Sequence, residues 1–210
     1  MLLNFPDLIT RYNMNITGVI HVGCHHSQEV PMYHASGIHN IVLIEPAKAA
    51  YEVTAKKYGA TKGITLFNVA CGSYTGEASM FMETVNQGQS SSLLKPVNHL
   101  KMYPEIKFTG TELVQVRPLD ALPLPTGCNL LNMDVQCGEM QVLIGAKRTL
   151  ETIDYIISEV NAPGAELYEG CTDIEEMDTF LSAYGFTRPE EPKWINGAWS
   201  DSAWIKGYKS

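Results

Sequence analysis

Apolar residues along the chain fall into short continuous runs that alternate with longer stretches of helical spacing. Continuous apolar runs bounded by glycine, proline or polar clusters predict buried strands, whereas periodic stretches that end at glycine predict helices. The predicted strands are 18–23, 40–46, 64–72, 113–122, 128–135, 152–161, 185–189 and 203–209. The predicted helices are 28–37, 47–59, 139–151 and 172–185.

This alternation of strands and helices predicts an α/β fold. Strands that are apolar throughout are typical of a mostly parallel sheet covered by helices on both faces. The last two predicted strands follow each other across a turn-rich loop, which predicts an antiparallel pair at the sheet edge. Residues 83–112 are the least regular part of the chain and include the polar run 86–92. Two interpretations of this region stay open, a mobile lid over a substrate and a long surface loop.

Length and charge narrow the class of protein. A chain of 210 residues is long enough for one core, and we expect a single domain over 1–210, either a complete small enzyme or a domain excised from a larger protein. No apolar run is long enough for a membrane helix, and residues 1–15 lack the basic start of a signal peptide, so we expect no membrane insertion. A net charge of −8 without a Lys or Arg cluster argues against a nucleic-acid partner.

The cysteines are odd in number, widely spaced and without a CxxC pair. This pattern favours free thiols in a reducing compartment over a disulfide framework, and with the missing leader it predicts a cytoplasmic location. The five positions are Cys24, Cys71, Cys128, Cys137 and Cys171.

The run 19-VIHVGCHHSQEV-30 admits two interpretations. A strand that ends at Gly23 and turns into a helix presents backbone N–H groups to the polar part of a nucleotide-like cofactor. Thiol and imidazole groups are also zinc ligands, but Cys24, His25 and His26 are consecutive, whereas zinc ligands are usually spaced so that they converge. No distant Cys or His pair completes such a set, and the sequence therefore predicts no metal site.

Acidic residues follow the ends of three predicted strands. Glu45 comes 22 residues after Gly23, a position suited either to ribose hydroxyls or to the start of the next helix. Asp134 follows the strand 128–135, and Glu159 and Asn161 end the strand after it, with side chains on the same face. Because carboxyl ends of parallel strands share one sheet edge, these groups predict a site there.

Trp194, Trp199 and Trp204 recur every five residues, which matches neither the helix period nor the strand period. We interpret them as core and hairpin packing, with stacking on a sugar as the alternative. His21 lies inside the first strand, and we expect it to be buried.

The order VGCHHSQE, LIEP, NVACGSYTGEASM, QSSSL, VRPLDAL, LLNMDVQCGEMQVLIGA and IISEVN resembles the FkbM-like methyltransferases, class I enzymes that use S-adenosylmethionine. The resemblance covers roughly residues 18–207 and is most specific in DVQCGEMQVLIGA, which is similar to the family's Asp-x-x-Gly-x-Glu segment. It implies a Rossmann-like fold with a seven-stranded, mostly parallel sheet, an antiparallel last strand and helices on both faces.

The resemblance also implies roles for particular residues. In the family's first motif, His21 replaces an acid, Cys24 an alanine, His25 an asparagine and Ser27 a glycine. The turn that holds the amino-acid end of the cofactor would comprise Gly23, Cys24, His25, Ser27 and Gln28. Glu45, with Pro46 beside it, would bind the ribose hydroxyls. Val69 and Ala70 would lie against the adenine, and Asp134 beside the sulfonium.

The predicted reaction is O-methylation of a hydroxyl on a sugar or glycan-linked acceptor. Such a hydroxyl needs a group that takes up its proton, for which Asp134 is the first choice, Glu159 the second, and His25 or His26 the third. The acceptor would be contacted by Ser90, Ser91, Ser92 and Asn161.

Three other functions remain open. The acceptor hydroxyl could belong to a small molecule other than a sugar, and the altered first motif is compatible with a catalytically silent binding module on this fold. An NAD-dependent oxidoreductase is disfavoured, because no GxGxxG follows the first strand. A divalent ion between Asp134 and Glu159 is a further minor hypothesis.

Overall fold

The computed structural model describes residues 2–209, which form ten strands and seven α-helices. The strands are β1 (Val19–Val22), β2 (Ile41–Ile44), β3 (Ile64–Phe67), β4 (Ala70–Cys71), β5 (Gly76–Glu83), β6 (Phe108–Arg117), β7 (Leu130–Met133), β8 (Tyr155–Asn161), β9 (Phe186–Thr187) and β10 (Trp199–Lys206). The helices are α1 (Phe5–Arg11), α2 (Val30–Ala35), α3 (Lys48–Tyr58), α4 (His99–Met102), α5 (Glu139–Ile144), α6 (Thr149–Thr152) and α7 (Ile174–Ser182), with a 3-10 turn at Leu119–Ala121.

Seven strands form one sheet in the order β3-β2-β1-β7-β8-β10-β9. Neighbours from β3 to β8 run parallel, whereas β10 runs antiparallel to both β8 and β9. The four residues of each of β1, β2 and β7 are all buried, as continuous apolar strands require when both sheet faces are covered. The predicted sheet, with its antiparallel last strand, is confirmed.

Alternate residues of the central strands pack into two cores on opposite faces of the sheet. Ile20 and Val22 of β1 belong to the core that includes residues of α5, α6 and α7. Val19 belongs to the other core, which includes residues of α1, α2 and α3. The prediction of helices on both faces is therefore confirmed.

The predicted helix 139–151 is two helices, α5 and α6. Gly145 ends α5, and a Cβ at this position would lie 2.1 Å from the backbone oxygen of Gly72. The close approach of two backbone segments therefore stops the helix here, although its apolar residues keep their helical spacing.

The predicted strand 64–72 is also divided. Its first half is β3 at the edge of the main sheet, and its second half, β4, pairs with β6 in a second sheet of order β4-β6-β5. Asn68 lies at the break, where its side-chain amide donates to the backbone oxygens of Glu45 and Pro46. These bonds hold the chain at the break against the two residues that follow β2.

Residues 83–112 are more regular than the sequence indicates. Strand β6 begins at Phe108 instead of 113 and pairs with β5, which was not predicted, in an antiparallel hairpin. Ala78, Met80 and Met82 alternate along β5 and pack near Val114. This two-residue period was present in the sequence, but it is short, and the apolar Phe81 between Met80 and Met82 interrupts the alternation.

Within residues 2–209 the structure contains no helix that is both long enough and apolar enough to cross a membrane.

The turn after β1 packs directly on the backbone after β7. Gly23 has φ +79°, and a Cβ there would lie 1.9 Å from the backbone oxygen of Asp134. The N–H of Gly23 donates to the oxygen of Ile44 at 2.9 Å, so the ends of β1, β2 and β7 are fixed together at this glycine. Glycine is therefore required both by the backbone angle and by the space available.

We expect Gly23→Ala to destabilise the fold by about 4 kcal/mol or more, because the added methyl group meets backbone that cannot move aside. Gly37→Ala is the matched control, since Gly37 also has φ +79° but a Cβ there would have no atom within 4 Å. That control should cost only about 1 kcal/mol, from the backbone angle alone. Urea unfolding of both variants measures the difference, and equal losses would contradict the steric explanation.

Candidate functional site

A cavity of about 950 Å³ opens at the carboxyl ends of the parallel strands. Its wall includes Gly23 after β1, Glu45 after β2, Asp134 after β7 and Glu159 in β8. This is the edge at which α/β sheets bind their ligands. Residues from the ends of four different strands therefore meet in one site, as their positions in the sequence predicted.

The turn after β1 forms one end of the cavity. Cys24, His25 and Gln28 line it, and the backbone N–H of His25 donates to Glu45 Oε2 at 2.8 Å. His25 has φ +45°, and its ring stacks on that of His26 at 3.8 Å. The His25 Nε2 lies 2.8 Å from the backbone oxygen of Gln87, which ties the turn to the 84–92 loop.

The residues from 2 to 209 contain no group of three or more His, Cys, Asp or Glu side chains placed to hold a metal ion. Cys24 is buried among apolar residues of the core that contains Val19, and burial raises the pKa of its thiol. A protonated thiol is a poor zinc ligand, since zinc binds the thiolate.

Ser27 was predicted to bind the cofactor, but its side chain is buried beneath the cavity wall. Its hydroxyl lies 2.9 Å from Thr54 Oγ1, and Thr54 Oγ1 in turn donates to the backbone oxygen of His25. Ser27 has φ +55°, which directs the side chain toward α3. The structure therefore places Ser27 behind the turn, where it supports His25 and makes no contact with the cavity.

Glu45 is buried beside the turn and is held by two backbone groups. Its carboxylate accepts from His25 N at 2.8 Å and from Ala47 N at 2.9 Å. Burial raises its pKa from 4.5 to about 7. Ala47 is the N-cap residue of α3, so Glu45 also accepts a backbone N–H at the start of this helix. The structure is compatible with both predicted roles, ribose binding and a carboxylate at the helix start.

The apolar side of this end is formed by Pro46, Ala70 and Cys71. Val69 was expected to line it too, but it points into the core below the sheet with residues such as Val22 and Val42. Alternation along the chain explains the difference, because neighbouring residues of an extended segment face opposite sides.

The carboxyl groups of Asp134, which is half-buried, and Glu159, which is buried, lie farther along the cavity. The side-chain amide of Gln136 donates to Asp134 Oδ1 at 2.9 Å and to Glu159 Oε2 at 3.0 Å, so one amide joins both acids. Burial raises the pKa of Asp134 to about 6. Burial and the nearby Asp134 charge raise the pKa of Glu159 well above its ordinary value.

Asp201 extends this acidic surface. It lies directly opposite Glu159 in the β8–β10 ladder, and its side chain accepts from the backbone N–H of Leu2. Asn161, two residues beyond Glu159, was predicted to contact the acceptor but does not line the cavity. Its side-chain amide is buried against the oxygen of Thr172, because the chain there turns toward α7.

The 84–92 loop covers the cavity and is ordered by one carboxylate. Glu83 accepts from the backbone N–H groups of Val85, Asn86 and Gly88. The loop is therefore held by hydrogen bonds, which argues against a freely mobile lid.

The serines of this loop all line the cavity, as predicted, but two of their hydroxyls hold protein backbone. Ser91 Oγ accepts from Glu83 N at 3.0 Å, and Ser92 Oγ donates to the oxygen of Gln136 at 2.7 Å. The side chain of Ser90 makes no such bond within residues 2–209, although its backbone oxygen accepts from Tyr168 Oη at 2.7 Å. Contact with an acceptor stays a prediction for all three.

The prediction of free cysteines is wrong for one pair. Cys137 and Cys171 form a disulfide that joins the loop after β7 to the loop before α7, whereas Cys24, Cys71 and Cys128 are free and buried. The two partners are 34 residues apart and meet only because both loops lie at the same sheet edge. Because the prediction of a cytoplasmic location was based partly on free thiols, the disulfide weakens that prediction.

Sequence reasoning also missed Gln136, which joins the two acids. It has φ +54° and Cys137 has φ +76°, so two consecutive residues occupy the left-handed region. The available signal was a polar residue two positions after Asp134. The sequence does not show, however, that the turn directs the Gln136 amide back between the carboxylates of Asp134 and Glu159.

The fold is that of the class I methyltransferases that use S-adenosylmethionine. Magnesium protoporphyrin IX methyltransferase (ChlM) from Synechocystis PCC 6803, solved with S-adenosylmethionine bound, has a TM-score of 0.52 at 10% identity, over 95% of this chain and 74% of that one. A putative S-adenosylmethionine-dependent methyltransferase from Listeria monocytogenes has a TM-score of 0.55 at 9% identity, over 92% of each chain. At such low identity these similarities show the fold alone.

A further structure of the same fold is Streptococcus pneumoniae Sp1610, a putative tRNA (m1A22) methyltransferase. Its TM-score is 0.53 at 11% identity, over 100% of this chain and 72% of that one. Since the fold also occurs in proteins described as acting on RNA, the expected absence of a nucleic-acid partner stays a prediction.

Within this class, the chain belongs to the methyltransferase FkbM domain family, which matches residues 21–187. It is similar to 2-O-methyltransferase NoeI of Sinorhizobium fredii (strain NBRC 101917 / NGR234), with 29% identity over 153 residues. That alignment covers 69% of this chain and 62% of NoeI, so the chain spans less than two thirds of its curated relative. The chain is therefore a methyltransferase FkbM domain with the fold of enzymes that use S-adenosylmethionine.

The residues of the cavity fit this cofactor. Its volume suits a ligand of this size, and one end combines a buried carboxylate, Glu45, with the small apolar surface of Ala70. Acidic groups at Asp134 and Glu159 suit a positively charged sulfur.

We expect the buried carboxyl of Glu45 to weaken the ligand-free fold as the pH rises. Its pKa is about 7 in the fold and 4.5 ordinarily, so the folded chain binds more protons between these values and stability falls as the pH rises through that window. Glutamine imitates the protonated acid. The free energy of unfolding of Glu45→Gln, relative to the unsubstituted protein, should therefore increase by about 3 kcal/mol between pH 4.5 and pH 8.

Denaturant unfolding at the two pH values measures this change. Glu52→Gln is the control, because Glu52 lies on the exposed face of α3 and keeps the solvation it has in the unfolded chain. If the difference in the free energy of unfolding between Glu45→Gln and the unsubstituted protein stayed constant with pH, burial would not raise the pKa of this carboxyl.

Proposed function

We propose that this protein transfers the methyl group of S-adenosylmethionine to a hydroxyl of a sugar or glycan-linked acceptor. The observation that carries the proposal is the pair Asp134 and Glu159, joined by Gln136 in the same cavity as Glu45. The name of the relative, a 2-O-methyltransferase, supports oxygen as the methylated atom.

Glu45 would bind the ribose. Its two oxygens each already accept one backbone N–H, which fixes the carboxylate toward the cavity and leaves further lone pairs for two neighbouring hydroxyls. The turn from Gly23 to Gln28 would hold the amino-acid end, and Ala70 with Pro46 would lie near the base. When bound, the cofactor supplies a methyl group on a positively charged sulfur.

Asp134 would act as the general base. With a pKa of about 6 it is ionised at neutral pH, and Gln136 occupies Oδ1, so Oδ2 remains for a substrate hydroxyl. It would take up the proton of the acceptor hydroxyl as that oxygen receives the methyl group that the bound cofactor supplies. Glu159, whose raised pKa favours the protonated form, would donate a hydrogen bond that positions the acceptor.

Loss of the base should slow the reaction without preventing cofactor binding. We expect Asp134→Asn to lower kcat by a factor of about 10² to 10⁴ while its affinity for S-adenosylhomocysteine stays within about threefold. In the unsubstituted enzyme, kcat/KM should rise with pH up to about 6 and then level off, since the base must be ionised. The variant should lose this rise.

The measurement is release of S-adenosylhomocysteine with a panel of methyl glycosides and simple alcohols. Asp154→Asn is the matched control, because Asp154 precedes β8 at the opposite edge of the sheet and bonds to Asn129. Full activity in Asp134→Asn would refute the base assignment. Binding of S-adenosylhomocysteine without turnover of any hydroxyl would favour a catalytically silent module, and turnover of the simple alcohols alone would favour a non-sugar acceptor.

A further inference from the structure

The cavity continues beyond Asp134 and Glu159 to a wall of aromatic side chains. His99 of α4, Tyr103 after it, and Trp199 at the start of β10 line this part, called here the aromatic wall. Trp199 Nε1 donates to Tyr103 Oη at 2.8 Å, and the rings of His99 and Tyr103 are 5.1 Å apart. The three rings are thus fixed to one another by direct contacts.

The aromatic wall is continuous with the two acids. Trp199 lies two residues before Asp201, which faces Glu159 across the β8–β10 ladder. Two residues along a strand correspond to about 7 Å and to the same face of the sheet. A sugar-sized molecule lying on the wall can therefore place a hydroxyl beside the acids.

His99 carries a polar atom that lacks a partner. The side chain is 5% exposed, and its Nδ1 is buried without a hydrogen bond to any residue from 2 to 209. Its other neighbours are the rings of Phe108 and Tyr168. A buried nitrogen of this kind is costly unless it is satisfied. His99 lines the cavity, but Nδ1 itself has almost no accessible surface, so a ligand hydroxyl would supply the missing bond once the imidazole ring turns toward the cavity.

The charge of this part of the cavity selects among possible ligands. In the portion of the chain that the structure describes, no Lys or Arg lines the cavity. Besides Glu45, the wall carries the carboxyl groups of Glu83, Glu105, Asp134, Glu159 and Asp201. Burial holds the pKa of His21, His26 and His99 below the ordinary value, so these imidazoles do not supply positive charge at neutral pH. A phosphate or carboxylate here would meet repulsion and would find no Lys or Arg to pair with among the described residues of the wall.

We propose that the aromatic wall binds a sugar ring without any anionic group, stacked on Trp199 and hydrogen-bonded to His99 through a ring hydroxyl. Neutral sugars combine an apolar face with hydroxyl groups, which suits rings that flank one unsatisfied nitrogen. This inference rests on the proposed function and adds to it that phosphorylated and carboxylated sugars are excluded.

Matched acceptors test the charge selection. Methyl glycosides of the gluco, galacto and manno series are compared with the corresponding uronates, 6-phosphates and 2-amino sugars, and S-adenosylhomocysteine release is measured at pH 7.5 with S-adenosylmethionine in excess. We expect kcat/KM for the neutral or amino member of the best series to exceed that of its uronate and phosphate at least tenfold.

The outcomes separate this inference from the proposed function. Equal or better turnover of an anionic sugar would overturn the inference while leaving sugar O-methylation intact. Binding of S-adenosylhomocysteine by calorimetry without turnover of any sugar would remove the sugar acceptor and the inference together. Failure to bind S-adenosylhomocysteine would remove the proposed function first.

Variants of His99 test the contact itself, using the best neutral glycoside from the panel. His99→Leu keeps the volume but removes the nitrogen, and we expect the KM for the sugar to rise at least tenfold with affinity for S-adenosylhomocysteine within twofold. His99→Gln, which restores a polar group, should recover most of the loss, and His39→Leu, at an exposed position outside the cavity, is the control. An unchanged KM in both His99 variants, or in Trp199→Phe and Trp199→Ala alike, would overturn the proposed binding mode.

Discussion

The close backbone contact between Gly23 and Asp134 determines how the site is assembled. A Cβ on Gly23 would lie 1.9 Å from the oxygen of Asp134, so the turn after β1 and the loop after β7 cannot separate or shift without losing this packing. The N–H of Asp134 also donates to Val22, and the N–H of Gly23 donates to Ile44. The predicted cofactor turn, the predicted ribose carboxylate and the predicted base are therefore held in one rigid frame.

Burial of acids within this frame then produces the chemistry. Glu45, Asp134 and Glu159 each have a raised pKa, because the cavity wall removes them from water, and each is held by N–H donors that fix its direction. The fold tolerates this cost at a site where a positively charged ligand would relieve it. His21 occupies the position at which the family usually has an acid. It adds no charge, because burial lowers its pKa to about 4, and its side chain contacts the hydroxyl of Tyr33.

The sequence predicted the parts of the site that depend on strand ends. Glu45, Asp134 and Glu159 follow apolar strands, and the parallel sheet brings those ends together. It did not predict features that arise from turns or from contacts between distant loops. Ser27 turns toward Thr54 because of its left-handed backbone, Gln136 reaches back between two acids, and Cys137 meets Cys171 only after both loops are in place. Strand β5 was missed because its alternation of apolar and polar residues is short and is interrupted by the apolar Phe81.

The most direct measurement is titration calorimetry of S-adenosylmethionine and S-adenosylhomocysteine with the metal-stripped protein and with Glu45→Ala. We expect both ligands to bind without added metal and to lose at least about tenfold in affinity in the variant, since each hydrogen bond to a charged group contributes about 1.5–3 kcal/mol. Glu52→Ala should bind like the unsubstituted protein. Absence of binding, or equal affinity in Glu45→Ala, would contradict the assignment of this cavity to the cofactor.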